Sequence, residues 1–459
     1  MRNYLPCLLL FFVPTLLQGQ LLIIEHTNVV DVKNGSVRRN VTVVIEQDRI
    51  LAISSAPGKY TGTIIDGKNK YLIPGLWDMH THTWSSERFF SLLLANGVTG
   101  IRDMFGNIDS INRWKEQIAR GAINGPEIIA SGPILDGPKP VWPGSVAVQS
   151  ERQVAGIVDS LKNQLKVDFI KVYSLLPRQV FFKIADEAKK QQISFEGHVP
   201  NEVSVLEAAR AGQKSQEHLV GIIQESSDSA AYLLKLAQRV ISDTSLKDPV
   251  AKTKLMLRTF NRDKLLAVIR ELKRYDSWIC PTMVVNRNIG LLTDSAFSND
   301  SRIHYMPPGI EAIWKPNNDF RFKKAGAEYF ELTRAMFRLH KEIVGLMQKE
   351  GIRLLAGTDY PNPYCYPGFS LHDELALLVE AGLTPLQALQ TATLNPAIYF
   401  NRTADLGTVE KGKMATLVLL NGNPLDNISN TKDIQAVINK GKLFTKPQLE
   451  FLLSSQRHE

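Results

Sequence analysis

Leu72-Ile73-Pro74-Gly75-Leu76-Trp77-Asp78-Met79-His80-Thr81-His82 is a short apolar run that ends in two histidines one residue apart. Side chains of a strand alternate between faces, so His80 and His82 share a face about 7 Å apart, close enough to converge on one cation. A lone His-x-His pair is more often incidental. This one gains meaning because other short apolar runs end in related chemistry.

Working outward, the runs are Gly75–Met79, Val98–Asp103, Glu127–Ser131, Asp168–Tyr173, Ile193–Val199, Lys214–His218, Trp278–Val284 and Leu354–Asp359. Helical patterns such as Pro177–Gln191, Glu202–Ala211 and Asn318–Glu350 lie between them. Strands alternating with helices eight times predict a (β/α)8 TIM barrel over residues 74–398. Strand-like segments flank it on both sides. Leu21–Ile24, Val41–Gln47, Ile50–Ile53 and Gly62–Asp66 precede it, and Met414–Leu420 and Ile434–Lys440 follow. Residues 20–73 and 399–459 therefore predict a small β-sandwich built from both chain ends. Two insertions, Gly221–Arg274 and Asn286–Arg353, follow the sixth and seventh runs, at the end of a barrel that carries active-site loops.

Composition narrows the function classes. The 459 residues are 44% hydrophobic and 22% charged, which excludes a disordered or coiled-coil chain. Three cysteines exclude a disulfide-stapled scaffold, and pairing of Cys280 with Cys365 is not legible. The net charge of +8 is scattered without a Lys/Arg run, which argues against a nucleic-acid partner. Residues 1–19 place Arg2 before an apolar run holding Pro6 and Pro14, too short and too broken for a membrane span. They read as a signal peptide, so the mature chain is expected to be exported, periplasmic or extracellular, with no stable membrane anchor after cleavage. Self-association as a homo-oligomer is compatible with this sequence.

The candidate chemistry sits at the ends of the runs. Lys171 shares a strand face with Phe169 and Tyr173, while Ile170 and Val172 take the other face, towards the helices. A lysine facing a barrel interior is costly unless it is paired or neutral. It is either a salt bridge at the strand end or a neutral amine that has taken up CO2 as an anionic carbamate. His198 ends the fifth run, His218 the sixth and Asp359 the eighth. Each alone has a plain structural reading, as a satisfied core histidine or a helix cap. Together with His80, His82 and Lys171 they put N and O ligands suited to zinc at the ends of five strands. The other histidines, at 26, 304, 340, 372 and 458, end no run. Tyr173 is a candidate oxyanion donor or a packing residue. Arg102 either holds a substrate carboxylate or pairs with Asp103 or another acid. Tyr305 and Trp314, in the second insertion, either line a substrate pocket or pack on the barrel.

These segments together resemble the amidohydrolase superfamily over nearly the whole mature chain. The resemblance rests on the Leu72-to-His82 opening, Phe195-Glu-Gly-His198-Val, Ser215-Gln-Glu-His218-Leu, Leu355-Ala-Gly-Thr-Asp359, Gly382-Leu-Thr-Pro385-Leu-Gln-Ala388, Ala392-Thr-Leu-Asn395-Pro396-Ala397 and Leu406-Gly-Thr-Val-Glu-Lys-Gly-Lys413. It implies two divalent ions, zinc by preference: one held by His80, His82 and Asp359, the other by His198 and His218, with carboxylated Lys171 and a hydroxide between them. Asp359 would also move the proton. The surroundings of Lys171 resemble the imidazolonepropionase-like and Xaa-Pro dipeptidase-like subgroup. Hydrolysis of an amide or short peptide is the implied reaction. A mononuclear cyclic-amide hydrolase or deaminase is the alternative, though such enzymes often carry Glu three residues after the fifth-strand His, where this chain has Asn201 followed by Glu202. Members that cleave C-terminal residues carry Gly-Gly-His after the third strand, and Ser131–Gly144 contains no histidine.

Overall fold

The computed structural model describes residues 21–458 apart from 57, 59, 85, 86 and 243; the signal peptide expected over residues 1–19 lies outside them. Eight short strands run in the predicted order: Leu76–Thr81, Val98–Asp103, Glu127–Ala130, Ile170–Val172, Phe195–Gly197, Ser215–Glu217, Trp278–Cys280 and Arg353–Leu354. All neighbouring pairs among them are parallel. The alternation read from sequence holds at the fourth strand. Ile170 and Val172 join the apolar layer with Val180, Phe181 and Ile184 of the helix Arg178–Lys190, and Lys171 faces inward. Burying each such aliphatic or aromatic side chain contributes about 1.5–3 kcal/mol.

The result is a TIM-barrel-like α/β fold in which the ladder divides into two sheets instead of the single closed sheet expected. The first three strands form one sheet. In the other, an additional strand, Ile134–Asp136, enters beside Ile170–Val172 and carries the short edge strand Val146–Ala147 on its far side. Backbone bonds bridge the seams: Asp168 N to Ala130 O (2.9 Å) at one, and Met79 N to Ala356 O (2.8 Å), Asp359 N to His80 O (2.7 Å) and His82 N to Tyr360 O (2.9 Å) at the other. The eighth strand is shorter than predicted because side chains replace its ladder. The Thr358 amide and hydroxyl both donate to the buried Asp78 carboxylate, at 3.0 and 2.6 Å. The helix expected from Asn318 begins only at Ala327, since residues 318–326 form turns around Asp319.

The terminal segments also depart from expectation. They form one eight-stranded mixed sheet, with Tyr71–Pro74 paired antiparallel to Leu417–Leu420 and parallel to Leu21–Val30. The two chain ends thus meet edge to edge, and the expected sandwich is corrected to a single sheet. One apolar cluster, including Leu22, Ile24, Val43, Leu417, Leu419 and Ile438, spans both halves. Cys280 and Cys365 are buried free thiols. Among the described residues, no helix is long and apolar enough to cross a membrane.

Candidate active site

The carboxyl ends of the strands bring the predicted residues together. His82 Nε2 lies 2.8 Å from Asp359 Oδ1, and His80 Nε2 lies 3.5 Å from the same oxygen. His218 Nδ1 is 3.8 Å from Asp359 Oδ2. The His218 ring stands 4.5 Å from that of His80 and 4.9 Å from that of His198. Asp359 and His218 sit in the left-handed region, with φ of 59° and 61°, where the chain leaves its strand abruptly. Such conformations cost about 1–3 kcal/mol and persist only where surrounding packing enforces them. Two glycines make room. A Cβ on Gly357 would stand 2.7 Å from His80 Cβ, and one on Gly197 (φ +127°) would stand 2.7 Å from Lys171 Cδ.

Beneath the histidines lies a buried polar layer. Arg102 Nη2 donates to Glu217 Oε1 (2.9 Å), and Nη1 donates to Glu196 (2.7 Å), Ser215 Oγ (2.8 Å) and the Tyr399 hydroxyl (2.9 Å). Its Nε donates to Met79 O at 2.6 Å. Arg102 is completely buried and does not line the cavity. Its candidacy as a substrate-carboxylate receptor is therefore corrected: strand alternation turns it into the barrel floor, where two glutamates neutralise it. Asp103, the partner weighed first, instead accepts the Thr83 amide at 2.7 Å. Burial pushes the Glu217 carboxyl up, but Arg102 and Lys171 outweigh that and hold it below its ordinary value.

This layer sets the state of His80. Its Nδ1 donates to the ionised Glu217 Oε2 at 2.7 Å, which leaves Nε2 unprotonated and aimed at Asp359. His80 Nε2 and His82 Nδ1 are buried without hydrogen-bond partners. An imidazole lone pair and a carboxylate oxygen turned towards each other fit a divalent cation, which both can ligate. His80, His82 and Asp359 also satisfy the spacing of a metal-ligand set. Burial lowers His80, His198 and His218 below the usual imidazole range and keeps them as neutral donors. Burial raises the Asp359 carboxyl, but His218, His80 and His82 more than offset this and keep it ionised. His198 Nδ1 meets Ser174 Oγ at 2.9 Å, and His218 Nδ1 meets Thr282 Oγ1 at 2.7 Å.

Lys171 is 1% exposed. Burial lowers its amine to about 8, against the pull of Glu217 and Asp359. Above these groups opens a cavity of about 450 Å³. Of the substrate candidates, Tyr173 and Trp314 line it and Tyr305 does not. Tyr305 stacks on Phe369, with ring centroids 5.1 Å apart, so its role is corrected to packing. Trp314 is fixed by its Nε1–H to Pro361 O, 2.8 Å. Tyr173 stacks on His198 at 4.0 Å, and its hydroxyl oxygen accepts from Trp142 Nε1 at 2.9 Å. Burial pushes that hydroxyl up to about 12, so it keeps its proton. Trp142 and Arg321 line the cavity too. Sequence reading passed over both because they stand in irregular loops whose partners are distant in the chain. A tryptophan flanked by Val141 and Pro143 was the available signal.

The amidohydrolase family sequence profile matches residues 71–444. The chain belongs to the amidohydrolase family. An ochratoxinase of Aspergillus niger is 21% identical over 90% of this chain and 85% of its own length. Among solved structures, a bottromycin amidohydrolase superposes with a TM-score of 0.72 at 23% identity, covering 95% of this chain and 89% of that one. A Xaa-Pro dipeptidase with bound methionine gives 0.67 at 17% identity, covering 93% and 100%. As an amidohydrolase the chain is a hydrolase of carbon–nitrogen bonds.

Proposed function

We propose that this amidohydrolase is an exported, metal-dependent hydrolase of a small amide or short peptide. The observation that carries the reading is the unpartnered His80 Nε2 facing Asp359, beside a buried lysine, at the floor of an apolar cavity. His80, His82 and Asp359 would hold one divalent ion, and His198 and His218 a second, zinc suiting both sets. Lys171, carboxylated by CO2, would supply the anion between them; burial favours the neutral amine that this addition needs. The ions would supply Lewis-acid polarisation of the scissile carbonyl and an acidified water.

The chain's own groups do the rest. The Asp359 carboxylate takes the proton of the attacking water and returns it to the leaving nitrogen. Tyr173 donates its hydroxyl proton to the developing oxyanion, because Trp142 occupies the lone pair that would otherwise seek a donor. Arg102 and Glu217 hold His80 in the ligating tautomer. The mononuclear alternative loses support. Glu202, the acid nearest the position such enzymes use, accepts the Arg178 amide at 2.7 Å and does not line the cavity. Export rests on the Arg2-led apolar run.

Elemental analysis combined with turnover of a panel of N-acyl amides and dipeptides tests the reading. Two ions per chain with metal-dependent release of amine are expected. Full activity with one ion would overturn the binuclear site, and no hydrolysis by the metal-loaded protein would overturn the amidase.

A further inference from the structure

The proposed reaction leaves open which amides fit, and the loop carrying Arg321 bears on that. Among the described residues, the cationic side chains lining the cavity are Lys171, at the floor among the histidines, and Arg321, in the wall. An arginine in the wall of a hydrolase cavity suggests a receptor for a substrate carboxylate. Its bonding argues otherwise. Nε lies 3.0 and 3.1 Å from the two oxygens of Asp319, Nη2 lies 2.6 Å from one of them, and Nη1 donates to Asn362 Oδ1 at 2.7 Å. Asp319 is 3% exposed, so this neutralisation is little screened by solvent. The guanidinium also lies over the Trp142 ring, 5.5 Å from its centroid.

The same device recurs away from this cavity. Asp300 and Arg302 repeat the Asp-x-Arg spacing with the same double contact of Nε, at 3.0 and 3.0 Å, and Arg302 Nη1 reaches Asp373 at 2.6 Å. Both arginines tie the insertion that follows the seventh strand to the segment that follows the eighth. Arg321 is thus bonded as a clasp. Much of the remaining wall is apolar: Trp142 and Phe320 meet edge to face at 5.4 Å, and Trp84, Phe105, Trp314 and Ile313 join them, while Asn286 and Asn318 add uncharged polar groups.

We propose that this cavity selects amides whose half beyond the scissile bond is aromatic or alkyl and lacks a free carboxylate, with Arg321 acting as a positioning residue that holds the insertion across the site. This rests on the amide-hydrolase reading and goes beyond it by naming the substrate class. A free carboxylate entering here would lose water and meet a neutral ion pair, an uncompensated desolvation. An aryl or alkyl group would meet surface that gains by excluding water.

The test compares N-benzoylphenylethylamine with N-benzoylphenylalanine, which differ only by the carboxylate, in the metal-loaded full chain, with benzoate release as readout. The uncharged amide is expected to have at least tenfold higher kcat/KM. Asp319→Asn, which unmasks the guanidinium, should shift the ratio at least fivefold towards the acid. Arg321→Gln should lower both substrates by the same factor. Equal or better turnover of the acid by the wild type, or selective loss of the acid in Arg321→Gln, would overturn the proposal. If neither compound is cleaved while other members of the amide and dipeptide panel are, the substrate-class proposal is overturned; if nothing in the panel is cleaved, the hydrolase reading fails separately, and the same ratios are then read as Kd from quenching of the cavity tryptophans.

Discussion

Lys171 is the residue on which the metal count turns. An unmodified ammonium there would be buried among imidazoles that need their lone pairs for other work, with the nearest carboxylates already committed to His80, His82 and Arg102. Lys171→Ala is expected to lose the second ion and activity together, and short carboxylic acids such as acetate or propionate should partly restore both by filling the vacated position. Unchanged metal content without rescue would show a plain lysine. Asp359→Asn separates binding from proton transfer: the amide retains an oxygen for a cation but cannot carry the proton. A fall in kcat of about 10²–10⁴-fold at retained metal is expected, and near-normal kcat would remove Asp359 from its role. The six ligand candidates were legible because each ends an apolar run, a pattern carried by neighbouring residues. For Arg102 and Tyr305 the sequence left two readings open, because the partners that decide between them, Glu196, Glu217 and Phe369, come from remote segments. No local pattern distinguishes an arginine in a barrel floor from one at its mouth.

Individual elements were legible to the extent that periodicity, and not side-chain bonding, defined them. Val98–Asp103 was read to the residue, whereas the eighth strand was overextended because Asp78 takes over the bonding of Thr358. A similar long-range tie governs how the helix Phe369–Glu380 docks against the turn Ile428–Lys432, between two strands of the terminal sheet. His372, buried on that helix, places Nε2 3.1 Å from Asn96 O and Nδ1 3.0 Å from Thr431 Oγ1. Burial, assisted by Lys432, lowers it from 6.5 to about 4. The unfolded chain therefore binds this proton more readily. The contribution is complete above pH 6.5 and is lost as pH falls towards 4. It amounts to about 3 kcal/mol across that window. His372→Gln is expected to be less stable at pH 7.5 but to lose correspondingly less on acidification, measured by urea unfolding of chelator-treated protein at both pH values. Parallel stability–pH curves for wild type and variant would show that His372 does not titrate with folding.

The whole molecule combines a seamed ring with a sheet made from both ends of the chain. Tyr71–Pro74 links the two by pairing with Leu417–Leu420 just before the chain enters the first barrel strand. At the other side of that strand, the seam to the eighth depends on few backbone bonds, and the residues beside it are His80, His82 and Asp359. The proposed ligands come from the first, fourth, fifth, sixth and eighth strands, so bound ions would tie the first strand to the eighth across this seam. Binding to the folded state alone adds about 2.7 kcal/mol for each site at a free-ion concentration a hundred times Kd. Chelation should therefore lower the melting temperature while leaving far-UV circular dichroism unchanged at 25 °C, because the helices and the apolar layer of Ile170, Val172, Phe181 and Ile184 do not depend on the ligands. Amide exchange should rise first at residues 79–82 and 356–360 and remain slow in Leu417–Leu420. A melting temperature unaffected by chelation, or uniform loss of protection through the terminal sheet, would show that closure of the ring is independent of metal.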